Sequence, residues 1–157
     1  MGVRLKRATF RHIEAEIYAY EDTLRQIEAL RRDIILSGDS GAFLDVAAGS
    51  GEWDSRVERR ATRLADSILL REMERITAAI ADTYKVAKEE CRRVVWVKYG
   101  LAINWQPPAE LVAQMEGRNR FDMRACDMAE LLSMDESTFH RYRTGFVYGV
   151  AERLGWY

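Results

Sequence analysis

The stretch MAELLSMDESTFHRYR, residues 128–143, has the pattern of two helices that meet at a tight turn. Met128 is an apolar anchor for the first helix, and Ala129 is small where a second helix would cross closely. The surrounding sequence predicts the first helix over 122–132 and the second over 135–154. Such a unit is either a bend between packed helices or a helix-turn-helix that enters a DNA groove.

The residues of the turn fit the helix-turn-helix interpretation with one departure. Ser133 stands where Gly is usual, at a left-handed backbone position that strains a side chain. Met134 is expected to be buried beneath the turn. Asp135 is expected to be the N-cap of the second helix, with its carboxylate accepting a hydrogen bond from the backbone N–H of Ser137 or Thr138.

The second helix has an apolar face and a polar face. Its apolar side chains recur at steps of three and four, which predicts an inward stripe of Phe139, Tyr142, Phe146 and Val150. The side chains that point away from this stripe, or lie at its edge, are Glu136, Ser137, His140, Arg141, Arg143 and Thr144. No acid occurs between residues 137 and 147.

These outward side chains have the chemistry of DNA recognition. Arg141 can bond guanine through two hydrogen bonds, and His140 can donate to base edges or phosphates. The side chains expected to hold phosphates are Arg143, Arg118, Arg120 and Arg124. Residues 118–157 nevertheless contain six basic and six acidic side chains, whereas strong DNA binders usually show a basic footprint. This balance keeps open a helical adaptor that binds protein and no DNA.

Two long helices are predicted upstream of this unit. Apolar residues recur at heptad spacing over 9–36, and no Gly or Pro lies between Glu52 and Gly100, which predicts a second helix over 56–99. The segment 37–55 holds four glycines and four acids and is expected to be a linker. Folding across it would give a long antiparallel, coiled-coil-like hairpin.

The predicted fold class is therefore all-α, with a helical hairpin over residues 1–100 and a helix-turn-helix DNA-binding domain over 101–157. A short helix within 101–118, between the two prolines and Gly117, would join them. The longer hairpin helix cannot bury its whole apolar stripe against the shorter one. We therefore expect either the C-terminal region or a second subunit to cover the remainder, which makes a homo-oligomer through the long helices an expectation. The basic stretch RVERRATR, residues 56–63, is either a phosphate-facing patch or a solvated face, and the solvated face is favoured.

Composition narrows the functional classes. The chain has 24 Lys+Arg against 25 Asp+Glu, so its global charge of −1 argues for no particular partner. Its two cysteines, Cys91 and Cys126, are expected to be reduced thiols of a cytoplasmic protein. The longest dense apolar run, residues 94–97, is too short to span a membrane. His12 and His140 lack metal-binding or catalytic spacing, so we expect no metal, no cofactor and no enzymatic activity.

The chain resembles the phage-encoded transcriptional activators of the RinA type and the related ArpU regulators. The resemblance rests on three segments in this order: IEAEIYAYEDTLRQIEALRRDII (13–35), ERITAAIADTYKVAKEECRRVVWVKYG (74–100) and MAELLSMDESTFHRYRTGFVYGVAERLGW (128–156). It implies a helix-turn-helix related to the promoter-reading region of bacterial sigma factors, with a reading helix from Asp135 to about Val150.

The same resemblance implies a function in a bacterial host cell. The protein would bind double-stranded DNA and activate late phage or prophage genes, with the host RNA polymerase as a further partner. Small terminase subunits of phages also combine a helix-turn-helix with long helical hairpins, and they assemble into rings. DNA packaging is therefore an alternative to transcription regulation.

Overall fold

The computed structural model describes residues 3–43 and 51–157, with side chains at 3–36 and 55–157, and the regular secondary structure in these residues is helical. No strand occurs in these residues, and the predicted all-α class is confirmed. The helices are α1 (Arg7–Tyr18), α2 (Tyr20–Phe43), α3 (Gly51–Val86), α4 (Glu89–Tyr99), α5 (Ala109–Met115), α6 (Ala125–Leu131) and α7 (Glu136–Leu154), with a 3₁₀ turn at Arg120–Asp122.

Both long helices of the sequence prediction are interrupted. The helix expected over 9–36 breaks at Ala19, and the one expected over 56–99 breaks at 87–88. Neither site holds a Gly or Pro, so no local signal marks it, and tertiary packing decides there over propensity. At the second break Arg92 donates a hydrogen bond to the carbonyl oxygen of Lys85 at 3.1 Å, which satisfies one of the open carbonyl groups at the end of α3.

Both ends of the predicted linker over 37–55 are helical instead. Helix α2 continues to Phe43, and α3 begins at Gly51. Gly38 and Gly41 lie inside α2, where each glycine costs only about 1 kcal/mol relative to alanine, too little to end a helix. The part of the prediction that falls on residues 44–50 lies outside the described residues.

The chain divides into two compact units. One combines Met1–Tyr20 with Ala78–Tyr157, and the other is Glu21–Thr77. This division differs from the boundary at residue 100 that the sequence suggested, because α1 packs against α7 and the last turns of α3 belong with the C-terminal helices.

Helix α7 is at the centre of the first unit, where it contacts α1, α4 and α6. Its apolar side chains Phe139, Phe146 and Val150 are almost completely buried. Phe139 shares a core cluster with Val94, Val97, Leu111, Met115, Met128 and Ala129. Burial on this scale, at roughly 1.5–3 kcal/mol for each large apolar side chain, fixes the rotation of α7 and thereby decides which of its side chains face outward.

The two glycines inside α7 predict substitutions of opposite sign. A Cβ at Gly149 would lie 2.9 Å from Cγ2 of Thr83, a buried side chain whose hydroxyl is bonded to the carbonyl oxygen of Ala79 at 2.7 Å. A Cβ at Gly145 would meet nothing within 4 Å. We expect Gly149→Ala to destabilise the protein by about 1 kcal/mol, because Thr83 must shift. This value already includes the stabilisation that alanine gives to a helix relative to glycine. Gly145→Ala should stabilise it by about 1 kcal/mol.

Denaturant unfolding of the two alanine variants measures both effects against one reference. Equal shifts of the two midpoints in the same direction would contradict the close approach of α7 to Thr83.

In the second unit, α2 and α3 are joined by an ion pair. Nε of Arg31 donates to Oε1 of Glu74 at 3.1 Å. Thr23 and Ile27 on α2 are buried, as are Ile76 and Thr77 on α3. The antiparallel pairing of these helices along their whole length stays a prediction.

Candidate nucleic-acid interface

The turn between α6 and α7 has the left-handed backbone that the sequence suggested, although Met134, which was expected to be buried, is half-buried. Ser133 is left-handed, with φ of 55°. The N–H of Ser133 donates to the carbonyl oxygen of Glu130 at 3.0 Å, and the N–H of Met134 donates to the carbonyl oxygen of Ala129 at 3.0 Å. This pair of bonds is the Schellman arrangement that ends many helices, usually with glycine at the left-handed position. The close crossing of the two helices places Ala129 in the core, 2% exposed.

The left-handed Ser133 predicts a stabilising substitution. Because glycine adopts a positive φ without steric cost, Ser133→Gly should raise the free energy of unfolding by about 0.5–1 kcal/mol. Ser133→Val should lower the free energy of unfolding by at least about 1 kcal/mol, since a β-branched side chain is strongly disfavoured at a left-handed backbone position. Thermal or denaturant unfolding measures both values. A stabilising valine would show that the turn is not left-handed in solution.

The start of α7 confirms one prediction and corrects another. Asp135 has the extended backbone of an N-cap, with φ of −68° and ψ of 149°, and its carbonyl oxygen accepts the first helical bond from Phe139 at 3.0 Å. Its carboxylate makes no capping hydrogen bond, however. The predicted bond to Ser137 or Thr138 was therefore wrong.

The outward face of α7 holds most of the side chains expected to contact DNA. Glu136, Ser137, Arg141 and Thr144 are exposed, and His140 is half-buried. Nε2 of His140 lies 3.4 Å from Oε1 of Glu136, one turn earlier. The guanidinium of Arg141 lies 5.7 Å from the ring centroid of Tyr142, which is the half-buried member of the inward stripe. We call these five side chains, Glu136, Ser137, His140, Arg141 and Thr144, the outer face of α7.

Arg143 does not belong to this face. The sequence assigned it to phosphate contacts, but in the structure its side chain is bound inside the protein. Its Nε and Nη2 donate to Oε1 of Glu14 on α1, at 2.8 and 2.6 Å. The hydroxyl of Tyr99 on α4 donates to the same oxygen at 2.6 Å. The Arg143 and Glu14 side chains are only 23% and 13% exposed. Arg143 therefore joins three helices inside the first unit instead of presenting its charge to solvent.

The titration of this cluster reflects its burial and its hydrogen bonds. Burial, then the bond to Glu14, raises the pKa of the Tyr99 hydroxyl well above its usual value. For Arg143, burial lowers the pKa, but the hydrogen bonds with Tyr99 and Glu14 outweigh it and raise the pKa above the ordinary value. The cluster thus keeps Arg143 charged and Tyr99 neutral.

Arg120 is also engaged inside the protein, which corrects its assignment to phosphates. Its Nη1 donates to the carbonyl oxygen of Trp96 at 3.2 Å, and its guanidinium lies 5.9 Å from the Trp96 ring centroid. The pKa of Arg120 is lowered by burial. Gly100 ends α4 with φ of 72°, and a Cβ there would lie 1.7 Å from Nη1 of Arg120. The arginine therefore fills the space beside the end of α4.

Arg118 and Arg124 are exposed, but acids surround them. Arg118 lies at the rim of an open groove of about 440 Å³, which Asp122, Asp127 and Glu130 also line. Nε of Arg124 lies 3.4 Å from Oδ2 of Asp127. The pKa of Asp127 is held below its usual value, first by the backbone N–H of Arg124 and then by that arginine's side chain. The two arginines remain accessible, although their positive charge is largely balanced locally.

Other chemistry has little support in the described parts of the chain. No group of three His, Cys, Asp or Glu side chains there is arranged to hold a metal ion. Cys91 and Cys126 are free, and burial raises the pKa of the Cys91 thiol to about 11. Among the helices of the described residues, none combines the length and apolar character needed to cross a membrane. In comparisons with known proteins, no family model, no curated protein and no solved structure matches this chain.

Proposed function

We propose that the protein is a sequence-specific DNA-binding transcription regulator, with α6 and α7 as its helix-turn-helix. The observation that carries this proposal is the division of α7 into a buried stripe and an outer face. Phe139 and Phe146 fix the helix from within, while Arg141 and Thr144 are exposed on the opposite side. The glycine-like turn at Ser133 lets α6 and α7 cross closely, as the motif requires.

In this proposal the first half of α7 enters the major groove. Arg141 reads a guanine through two hydrogen bonds, and Glu136 accepts from a cytosine amine. Ser137, His140 and Thr144 contribute donors to base edges or phosphates. Arg118 and Arg124 are the remaining candidates for phosphate contacts, since Arg143 and Arg120 are committed to the protein core.

The number of accessible arginines on α6, α7 and the segment before α6 leads to a quantitative expectation. Affinity for duplex DNA falls with salt at a logarithmic slope of about 0.9 for each phosphate neutralised. Of the described arginines assigned to the interface, Arg118, Arg124 and Arg141 are accessible, so the slope should be about 2–4 for each chain bound. That value is well below the slopes of strongly basic regulators, so base contacts must supply much of the affinity.

The experiment is a selection from duplexes with about 20 randomised base pairs, followed by gel-shift titration of the enriched sequences at several salt concentrations. An enriched consensus with the shallow slope supports a sequence-specific regulator. The absence of salt-dependent binding to any duplex would instead favour the helical adaptor.

The assignment to late genes of a phage or prophage is part of the same proposal. It rests on the resemblance to the RinA and ArpU regulators and on the order of the three segments that carry it. Contact with the host RNA polymerase is proposed on the same ground.

A small terminase subunit is the second candidate, because apolar side chains on α3 remain exposed in a single chain. Leu64 and Ile68 are 63% and 60% exposed. Assembly would cover such residues, and packaging subunits form rings. Light scattering after size exclusion separates the two functions, since a ring of about eight or more subunits favours packaging and a monomer or dimer favours regulation.

A further inference from the structure

We infer that the beginning of the chain supplies a second DNA contact, in which cationic side chains of residues 4–11 hold phosphates beside the groove that α7 enters. The inference deepens the proposed function and rests on it. It is carried by a run of exposed positive charge and by the contacts that place this run beside the outer face of α7.

The positive charge at the beginning of the chain is not balanced by acids. The first 13 residues contain Arg4, Lys6, Arg7 and Arg11 and no Asp or Glu, and all four basic side chains are exposed. Among the residues that the structure describes, none forms an ion pair with any of the four. We call these four residues the N-terminal basic segment. Its charge is available to a partner, whereas acids surround the arginines beside α6.

The stability of α1 does not account for this charge. Lys6 is the N-cap of α1 and Arg7 is its first residue, and no acid lies in the first turn. Because the N-terminal end of a helix carries a positive partial charge, cations are unfavourable there and an anion is favourable. A bound phosphate would offset both the side-chain charges and the helix dipole.

Two contacts place the N-terminal basic segment on the side of α7 that carries the outer face. The backbone N–H of Leu5 donates to the hydroxyl of Tyr148 at 3.1 Å. The rings of Phe10 and Tyr148 meet edge to face, with centroids 6.5 Å apart. Tyr148 follows Arg141 by seven residues, so the two side chains lie on nearly the same side of α7, about 10 Å apart along its axis. The segment therefore begins about two turns beyond Arg141.

The rotation of α1 brings two of the cations toward the outer face. Arg7, Arg11 and Glu14 follow one another at steps of four and three, so they share one side of α1. Glu14 accepts two hydrogen bonds from Arg143, in the first half of α7. This side of α1 is thus turned toward the first half of α7, and the charge of its acid is already neutralised.

The opposite side of α1 faces the end of α7. His12 lies about 140–160° around the helix from Arg7 and Glu14. The centroid of its ring is 5.0 Å from that of Trp156, which follows the last turn of α7. This contact fixes the direction in which Arg7 points, away from Trp156 and toward the outer face.

The spacing agrees with the dimensions of B-DNA. The major groove is about 12 Å wide and is bordered by the two phosphate backbones. Side chains about 10 Å beyond Arg141 on the same side of α7 would therefore reach phosphates at the edge of the groove and no bases. Since phosphate contacts carry no sequence information, the segment should add affinity without changing the consensus.

Gel-shift titration of the selected duplex at several salt concentrations tests the inference with Arg7→Gln combined with Arg11→Gln. The loss of two phosphate contacts should lower the salt slope by about 1.8 and weaken binding about 10- to 30-fold at about 0.15 M salt. Selection from randomised duplexes should return the same consensus. Helix content and melting temperature should not fall, since both side chains are exposed.

Arg59→Gln combined with Arg60→Gln is the matched control. This variant removes the same charge from two exposed arginines of α3, which belong to the other compact unit. Its slope should stay within about 0.5 of the unchanged chain and its affinity within about threefold. Equal effects of the two double variants would overturn the inference.

The slope of the unchanged chain separates the inference from the proposed function. Contacts by the N-terminal basic segment add to those of Arg118, Arg124 and Arg141, so the total slope should be about 4–6. A consensus with a slope of about 2–4 would leave the proposed function standing and overturn the inference. The absence of binding to any duplex would overturn both.

Duplexes with one uncharged methylphosphonate linkage locate the contact. Neutral linkages about one groove width from the guanine that Arg141 reads should weaken binding of the unchanged chain about fivefold at about 0.15 M salt. They should have little effect on the variant with Arg7→Gln and Arg11→Gln, which has lost the charges that face them. Equal effects on the two proteins at every position would place the segment away from the DNA.

Discussion

Substitution of Glu14 by alanine is expected to lower the free energy of unfolding by about 2–3 kcal/mol. Removing one partner of a buried ion pair typically costs about 3–5 kcal/mol, because the remaining charge stays buried. The pair of Glu14 and Arg143 retains 13% and 23% side-chain exposure, so solvent screening reduces the cost. The loss includes the hydrogen bond from Tyr99, which donates to the same carboxylate oxygen.

A matched control exists on α2. Glu28 and Arg32 also form an ion pair at 3.0 Å, but their side chains are 68% and 72% exposed. Glu28→Ala should cost no more than about 0.5 kcal/mol. Denaturant unfolding of the two alanine variants compares the same chemical change at buried and exposed sites. Equal costs would mean that the Glu14 cluster is open to water in solution.

A lysine at position 143 separates a structural role from a phosphate contact. Arg143 donates from two nitrogens to Glu14, and lysine cannot reproduce that fork. Arg143→Lys is therefore expected to destabilise the protein by about 1–2 kcal/mol while leaving the affinity of the folded protein for DNA within about threefold. A loss of affinity without a loss of stability would place Arg143 back among the DNA contacts.

The second large effect is expected at Arg141. Arg141→Ala should weaken binding to the selected duplex by about 1–3 kcal/mol, or roughly 5- to 150-fold, because the proposed function assigns this side chain a bidentate contact to a base. It should also relax the sequence preference at one position of the site. Stability should change little, since the side chain is exposed.

Arg153 is the matched control for this substitution. It lies in the last turn of α7 and is exposed, with Nη1 bonded to the carbonyl oxygen of Gly149 at 3.2 Å. Arg153→Ala removes the same charge from the same helix, far along it from the outer face. Affinity should fall by less than about threefold. Equal losses for the two variants would indicate non-specific attraction by charge instead of base recognition.

Local sequence signals predicted the parts of the fold that depend on neighbouring residues. Helix ends at Gly100 and Gly155, the left-handed Ser133 and the burial of Phe139, Phe146 and Val150 all follow from short-range patterns. The same patterns predicted the outer face of α7, because a helix with one buried stripe leaves a defined opposite side.

The parts that depend on distant residues were not predictable. Arg143 lies at the edge of the apolar stripe, and only its meeting with Glu14, 129 residues earlier in the chain, decides that it points inward. Arg120 is likewise fixed by the Trp96 carbonyl, on a helix that precedes it by 24 residues. No local sequence signal marks the helix break at Ala19. Helix α1 packs against α7, and this contact between distant parts of the chain cannot be read from neighbouring residues.

In the proposed function the outer face of α7 contacts DNA. The most direct measurement of this contact is an NMR titration of the ¹⁵N-labelled chain with the selected duplex, which follows each backbone amide. The proposed function predicts that the largest chemical-shift changes occur at residues 136–144, with little change at 56–63, the basic start of α3. Changes confined to residues 56–63, or no change at residues 136–144 when the duplex is saturating, would contradict it.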